Sequence, residues 1–540
     1  MERNRIGGVS FWPAVMGQGT AGPGAPGVGR RRLLRAAGAL GLAAGAAPLG
    51  LSGARAATPT RGGTLTMARV ADVISFEPVV PTDNMSIWAK LLVFQMLIRS
   101  NQKGDGFVPD LAETWEASAD KRTYTFHLRQ NALFSDGTPV TSADVKFSFT
   151  RVLTDKDSWA ASLYPTMDIA TPDPHTVVFN LKEDWAPFLA AVSTHAACIT
   201  PEAYFKKMGA SAFGEKPIGS GPFIMQEWHK GDHILMVRNP RFWDPTRPYL
   251  DQVIFSVVAD DNVRMLKLQS GEIDIGSDVP FSQIARLSHA PGMSVQLATY
   301  DRIDWFQFNV KSPKFADPKV RQAFNYAVDK QAIIQAALFG YGSVPTTFLP
   351  KMMDADTQDP PYAFDLAKAQ ALMAASSMPD GFSVTCTTVS GDTVGNQVAQ
   401  IIQQMLLPLK VKISITPLEG NTQYNQLATG KYEMAWGYMT SDIIDPCELI
   451  AYAGAGDEGS DAVWTFYNNT KVNALAKQGL SELDPTKRAA TYLEMQRIIW
   501  QDAPFLWLYW TPARTGVRAN VHDFQVLTTG NYWIEDVWKS

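Results

Sequence analysis

Lys121-Arg122-Thr123-Tyr124-Thr125-Phe126-His127-Leu128-Arg129 and, shortly after it, Phe134-Ser135-Asp136-Gly137-Thr138-Pro139-Val140-Thr141-Ser142-Ala143-Asp144-Val145 hold the pattern that decides the fold. In the first run Tyr124, Phe126 and Leu128 alternate with polar neighbours, the period of a half-buried strand. In the second, Asp136-Gly137 reads as a turn. Thr141 then stands three residues before Asp144 and just ahead of Val145, Phe147 and Phe149, the arrangement of a helix N-cap with an acidic first turn. The spacing predicts a helix to about Leu153. Outward from this unit, Gly62-Gly63 leads into a strand-like Thr64-Leu65-Thr66-Met67-Ala68. Helical periods recur over 317–338, 393–406 and 485–501, with strand-like runs such as 413–416 between them. Mixed helices and strands of this kind imply an α/β or α+β architecture.

A chain of 540 residues, 46% hydrophobic and 19% charged, is long and apolar enough for two or three domains. Disordered, collagen-like and coiled-coil classes are excluded. The formal charge is −5, and without residues 1–56 it becomes −11, with 41 basic against 52 acidic residues. Such a field does not favour nucleic acid or an anionic membrane. Cys198, Cys386 and Cys447 lie far apart, so neither a disulfide framework nor a cysteine zinc site is expected, and at most one disulfide could form. No phosphate loop and no H-E-x-x-H motif occurs, which disfavours an ATPase or a zinc peptidase.

Gly29-Arg30-Arg31-Arg32-Leu33-Leu34-Arg35 precedes an Ala/Leu/Gly run that ends at Ala54-Arg55-Ala56, the small residues a signal peptidase reads. Residues 1–56 resemble a twin-arginine export signal that is removed. No cysteine follows the cleavage point, so a soluble product without a lipid anchor is expected, and no later apolar stretch is long enough to cross a bilayer.

Two further places carry candidate chemistry. His229 and His233 are four apart, but Lys230-Gly231-Asp232 between them reads as a hairpin tip joining 224–228 to 234–237. A solvated loop is therefore expected, and no metal site. Tyr432-Glu433-Met434-Ala435-Trp436-Gly437-Tyr438-Met439-Thr440-Ser441-Asp442-Ile443-Ile444-Asp445-Pro446 is an apolar run that delivers two acids to a point where Asp445-Pro446 ends regular structure. Each acid reads as a turn or capping aspartate, or as a ligand group.

Ordered motifs add a resemblance. Val108-Pro109-Asp110-Leu111-Ala112-Glu113-Thr114-Trp115 leads into the two runs quoted first. Then come Gly219-Ser220-Gly221-Pro222-Phe223, Arg238-Asn239-Pro240 with Trp243, Ser270-Gly271-Glu272-Ile273-Asp274, and Phe308-Asn309. Val320-Arg321-Gln322-Ala323 and Ala327-Val328-Asp329-Lys330 close the series. Together, over residues 62–540, they resemble the peptide-type (family 5) extracytoplasmic solute-binding proteins of bacterial ABC importers. The resemblance implies an α/β fold of two lobes joined by two crossing segments, with an extra domain inserted in the first. On that layout the first lobe is 57–97, 194–300 and 511–540, the inserted domain 98–193 and the second lobe 301–510.

The resemblance also implies a function: capture of a peptide or other amine-bearing solute between the lobes, in the periplasm, by a monomer with no cofactor and no enzyme activity. An inner-membrane permease with separate ATPase subunits is the implied partner. Asp442 matches the family aspartate that pairs with a ligand ammonium, whereas Asp445 matches the second acid and is expected to hold the loop. Many peptide binders carry Trp where this chain has Met439, with Tyr438 and Trp436 nearby. The loop 81–86, with Asp83 and Asn84, matches the first-lobe segment facing the ligand, and Asn309 follows the strand entering the second lobe. The rival functions are a secreted hydrolase working through two carboxylates, a binder of a neutral oligosaccharide held by aromatic faces, and a sensor that passes its closed form to a receptor.

Overall fold

The strand expected from Tyr124, Phe126 and Leu128 spans Thr123–Leu128, with those three side chains buried. It is followed by a helix, Ser142–Thr154, whose entry is closed by a capping box. The Asp144 carboxylate accepts from the Thr141 backbone N–H at 3.0 Å and from the Thr141 hydroxyl at 2.8 Å. Its other oxygen accepts from the Glu202 N–H, so the cap also fastens a neighbouring helix. These features come from a computed structural model, which describes residues 58–79, 83–156, 158–299, 301–349, 362–456 and 461–540. The signal region 1–56 lies outside the described residues, as do Pro81 and Thr82 of the loop ahead of Asp83.

Three larger sheets organise the chain. A seven-stranded sheet runs in the order Met293–Ala298, Ala513–Arg518, Ile275–Gly276, Thr64–Arg69, Gln252–Val257, His233–Arg238 and Phe223–His229. A five-stranded sheet runs Val411–Leu418, Phe382–Val389, Met434–Thr440, Arg302–Phe308 and Phe505–Trp510. The third, Ala112–Ala117, Thr123–Leu128, Thr176–Leu181 and Met167–Asp173, is antiparallel throughout. The first two mix parallel and antiparallel pairs, and they are the sheets of the two lobes of an α/β clamp. The third belongs to the inserted unit, with its own core around Phe126, Phe149, Phe179 and Phe188.

The chain passes between the seven-stranded and the five-stranded sheet twice in succession along these strands, between Ala298 and Arg302 and between Trp510 and Ala513. There the two passages run side by side, since Thr511 N–H donates to the Arg302 carbonyl at 3.1 Å and its hydroxyl to Asp304.

The helical period over 317–338 is not one helix. Pro318–Ala327 and Lys330–Ala337 are separate, with Val328 extended between them. Asp317 and Asp329 each accept backbone N–H groups at the two starts, so a second N-cap aspartate interrupts a pattern that its apolar spacing alone would continue. The helices over 393–406 and 485–501 form as expected, Thr393–Met405 and Pro485–Asp502. All three cysteines are buried and free.

The Gly219-Ser220-Gly221 motif is a joint. A Cβ on Gly219 would lie 2.1 Å from the Val93 carbonyl oxygen, and one on Gly221 would lie 2.6 Å from it. Gly221 N–H instead donates to that oxygen at 2.8 Å, while the Gly219 carbonyl accepts from Ser135 of the inserted unit at 2.9 Å. Only residues without a side chain allow this approach.

Candidate ligand-binding site

Between the lobes lies a cavity of about 320 Å³. One wall is the first-lobe segment from Val70 to Ile74 together with the start of the helix Asn84–Val93, namely Asp83, Asn84, Met85 and Trp88. The crossing strand contributes Thr511 to Thr515, and Ser277 and Asp278 close a corner. From the second lobe come Arg302 and Tyr438, neighbours on adjacent antiparallel strands.

Strand alternation puts Trp436 and Tyr438 on one face of 434–440 and Met439 on the other, and position along the strand then decides which of them reaches this space. Tyr438 faces it and carries the Arg302 guanidinium 3.8 Å above its ring. Trp436 is instead buried in the second lobe, where its indole N–H donates to Asp392 at 2.7 Å and its ring packs against Phe306. A Cβ on Gly395 would lie 2.5 Å from that indole nitrogen, so the helix beginning at Thr393 is shaped to admit the ring. Met439 points to the opposite face and is buried with Ile303 and Trp305. Asn309 also leaves the site. It lies past the far end of the strand Arg302–Phe308, where its amide donates to the carbonyls of Gly430 and Tyr432 and holds a turn. Trp436, Met439 and Asn309 thus lie outside the lining of this cavity, with their polar groups or apolar surface engaged inside the lobe. Asp83 and Asn84 do line the cavity, and Asp83 also caps its helix by accepting from Ser86 N–H at 2.8 Å.

Asp442 stands just beyond the strand Met434–Thr440, half-buried and outside the lining of this chamber. It belongs to a buried acidic junction that sequence reasoning recognised only in part. Its backbone N–H donates to the Glu448 carboxylate at 2.8 Å, and the same oxygen accepts from the Ser441 hydroxyl at 2.9 Å. Burial raises the pKa of Asp442, opposed by the Lys90 ammonium from the first lobe. Burial raises that of Glu448 well above the carboxylate range, and the charge of Asp442 adds to the effect. Lys90 is itself pulled down by burial, against Cys198, Glu77, Asp83 and Asp442. Lobe meets lobe here: Ile443 and Cys447 pack into the inserted unit's core, and Ala186 N–H donates to the Leu480 carbonyl at 2.7 Å.

Asp445 has a different task. Both its oxygens engage Arg488 at 2.7 Å, and one accepts from Cys447 N–H at 2.9 Å. It fixes the turn ahead of the helix Cys447–Ala453, as its place before Pro446 suggests.

Arg302, Arg514, Asp278, Trp88 and Tyr532 line the chamber without having stood out in the sequence. Arg514 lies 3.9 Å over the Phe281 ring and donates to the Val279 carbonyl. Trp88 and Tyr532 form an aromatic pair at 5.9 Å. No local motif marks them, because lobe packing assembles them from distant segments. At the other end of the first-lobe sheet, the rings of His229 and His233, which a turn need not bring face to face, stand 4.8 Å apart. The strands pair these residues directly across the hairpin.

Comparison with known proteins agrees with this architecture. Residues 106–461 match the family model for bacterial extracellular solute-binding proteins, family 5 Middle. The probable D,D-dipeptide-binding periplasmic protein DdpA of Escherichia coli (strain K12) is 28% identical over 471 residues, covering 85% of this chain and 91% of that protein. The glutathione-binding protein GsiB of Salmonella typhimurium is 28% identical over 437 residues, covering 79% and 85%. Among solved structures, the periplasmic binding protein DppA of Helicobacter pylori, in complex with the peptide STSA, superposes with a TM-score of 0.79 at 25% identity, covering 89% of this chain and 98% of that one. The binding protein AgaA of A. tumefaciens R10, in complex with agropinic acid, gives 0.79 at 27%, covering 88% and 99%. No helix among the described residues is long and apolar enough to cross a membrane. With the two lobes, the double crossing and the inserted unit, these matches establish that the chain belongs to the bacterial extracellular solute-binding proteins of family 5.

Proposed function

We propose that this chain captures an amine-bearing solute, a short peptide in the first instance, between its lobes and delivers it to an inner-membrane ABC permease driven by separate ATPase subunits. It acts as a periplasmic monomer, exported through the signal in residues 1–56 with a mature N-terminus near Ala57, and its lobes follow the boundaries given above. N-terminal sequencing of the exported protein reads that cleavage directly. If residues 30–56 remain, processing there is refuted.

One observation carries the ligand class: the composition of the junction around Lys90. Glu77, Asp83 and Asp442 lie around the Lys90 ammonium, Arg151 pairs with Glu77, and the Glu448 carboxyl, whose ionisation burial opposes, adjoins Asp442, so that acidic groups outnumber these cations. A cationic group arriving from a ligand relieves that excess, and a carboxylate already out of water makes a stronger charge-assisted bond to it. Asp442 is the anchor in this reading. The ligands named for DdpA, GsiB and the H. pylori protein, a D,D-dipeptide, glutathione and the peptide STSA, support the class. Arg302 and Arg514 in the chamber suit a carboxylate on the same solute.

Native mass spectrometry of gently purified protein tests the proposal. The expected result is a one-to-one complex that releases an unaltered amine-bearing molecule on denaturation. Release of a neutral sugar contradicts the ligand class, and repeated turnover of an added peptide or glycan restores the hydrolase.

A further inference from the structure

We propose that the hairpin Phe223–Arg238 carries a surface site for a divalent transition-metal ion of the Zn²⁺ class, held by Glu227, His229 and His233. The inference is independent of the solute site, since it rests on the geometry of a hairpin at the edge of the first-lobe sheet. Among the described residues, these three form the one group of His, Cys, Asp or Glu that could close on an ion.

Register creates the group. His229 ends one strand directly opposite His233, which begins the next, so the two rings stand face to face at 4.8 Å and 30°. Glu227 lies two residues before His229 and thus on the same face of its strand. Its carboxylate is 3.3 Å from His229 Nε2. One ligand atom from each residue lies within 4.8 Å of the others.

Around a tetrahedral zinc, with bonds of about 2.0–2.2 Å, ligand atoms sit roughly 3.3–3.5 Å apart. The remaining gap is within reach of side-chain rotation, because Glu227 and His229 are exposed. Two imidazoles and one carboxylate are a donor set for zinc and its neighbours, not for calcium or magnesium.

Two further contacts distinguish this group from a solvated hairpin tip. The Asp232 carboxylate lies 2.8 Å from His233 Nδ1. With Nδ1–H donating to that carboxylate, Nε2 keeps the lone pair a metal needs, the outer-shell arrangement that orients metal-binding histidines. The tip itself is tied down. Gly231 N–H and the Trp228 indole N–H both donate to Asp72, at 2.8 and 3.0 Å, and Lys230 pairs with Glu215 at 2.7 Å. Binding therefore has little backbone to order. Asp72 also lines the cavity between the lobes, so Trp228 sits between the metal group and the cleft wall and can report on both.

The test is calorimetric titration of untagged, metal-stripped mature protein with Zn²⁺, followed in parallel by Trp fluorescence. Saturation at one ion per chain is expected, with the association constant at least tenfold lower in His229→Ala and in His233→Ala. Asp232→Asn is expected to lower it by about 10–100-fold. Thermal unfolding of the metal-free variants should match wild type, since these side chains carry no core packing. Absence of saturable binding, or equal binding by the His229→Ala/His233→Ala double variant, overturns the proposal.

Discussion

Asp442 is a carboxyl that burial makes harder to ionise and that a ligand ammonium would make easier to ionise. Asp442→Asn keeps the shape and removes the charge, so affinity for the co-purified solute should fall by about 2–5 kcal/mol in calorimetry. Unchanged affinity in a folded variant removes the anchor and favours a neutral ligand. Asp445→Asn should act on stability instead. It leaves the Arg488 guanidinium buried without its bidentate partner, a loss of about 3–5 kcal/mol readable by denaturant unfolding, with affinity little changed.

The two acids of the junction also set a pH dependence. Asp442 and Glu448 have folded-state pKa values above their unfolded ones, so from about pH 4 up to the raised values the folded state holds protons that the unfolded state has lost. Their contribution therefore favours the folded state on mild acidification and fades as pH rises. Buried bases such as Lys330, pulled down to about 7, act in the opposite sense above that pH. The difference between wild type and Asp442→Asn isolates the acid: between about pH 5 and pH 8 the unliganded variant should lose less stability than wild type. A steeper loss in the variant contradicts the assignment. The sequence displayed Asp442 and Asp445 through one apolar run ending at a proline. It could not display Glu448 or Lys90, because their meeting is made by a helix turn and by the other lobe.

At the scale of elements, the motif residues turn out to be joints. Gly219 and Gly221 let one segment cross the end of the helix Asn84–Val93. Asn239 donates to the Gly221 carbonyl at 2.8 Å. Asp110, pushed up to about 6 by burial, accepts from Met96 N–H at 2.9 Å and so ties the inserted unit to the first lobe. Gly271 ends its helix in the left-handed conformation, φ 85°, and Arg321 donates to the carbonyls of Asp502 and Ala503.

Gly221→Ala should destabilise the protein by about 1–3 kcal/mol or more, since the new methyl must displace backbone and not a flexible side chain. Thermal unfolding close to that of wild type would show that the joint can yield. This explains why the fold was legible while much of the site was not. Alternation, caps and turn glycines are local and survive in sequence, as Thr141 with Asp144 illustrates. Which part of 434–440 meets the cleft depends on tertiary placement: Trp436 shares a face with Tyr438 but is covered inside the second lobe, Met439 faces the other way, and of the three only Tyr438 lines the cavity.

For the whole molecule, the two passages between the sheets, joined where Thr511 N–H donates to the Arg302 carbonyl, are where a hinge would let the lobes rotate as bodies and leave either sheet undisturbed. A solute that touches Asp83 and Asn84 on one lobe and Tyr438 or Asp442 on the other gains contacts only when both approach. Its binding energy thus biases the closed state. Small-angle X-ray scattering of the mature protein, without solute and at demonstrated saturation, tests that claim most directly. A smaller radius of gyration is expected on saturation, with a closed fraction that needs more solute in Asp442→Asn. An identical scattering curve for the free and the saturated protein would contradict a clamp that closes on its ligand.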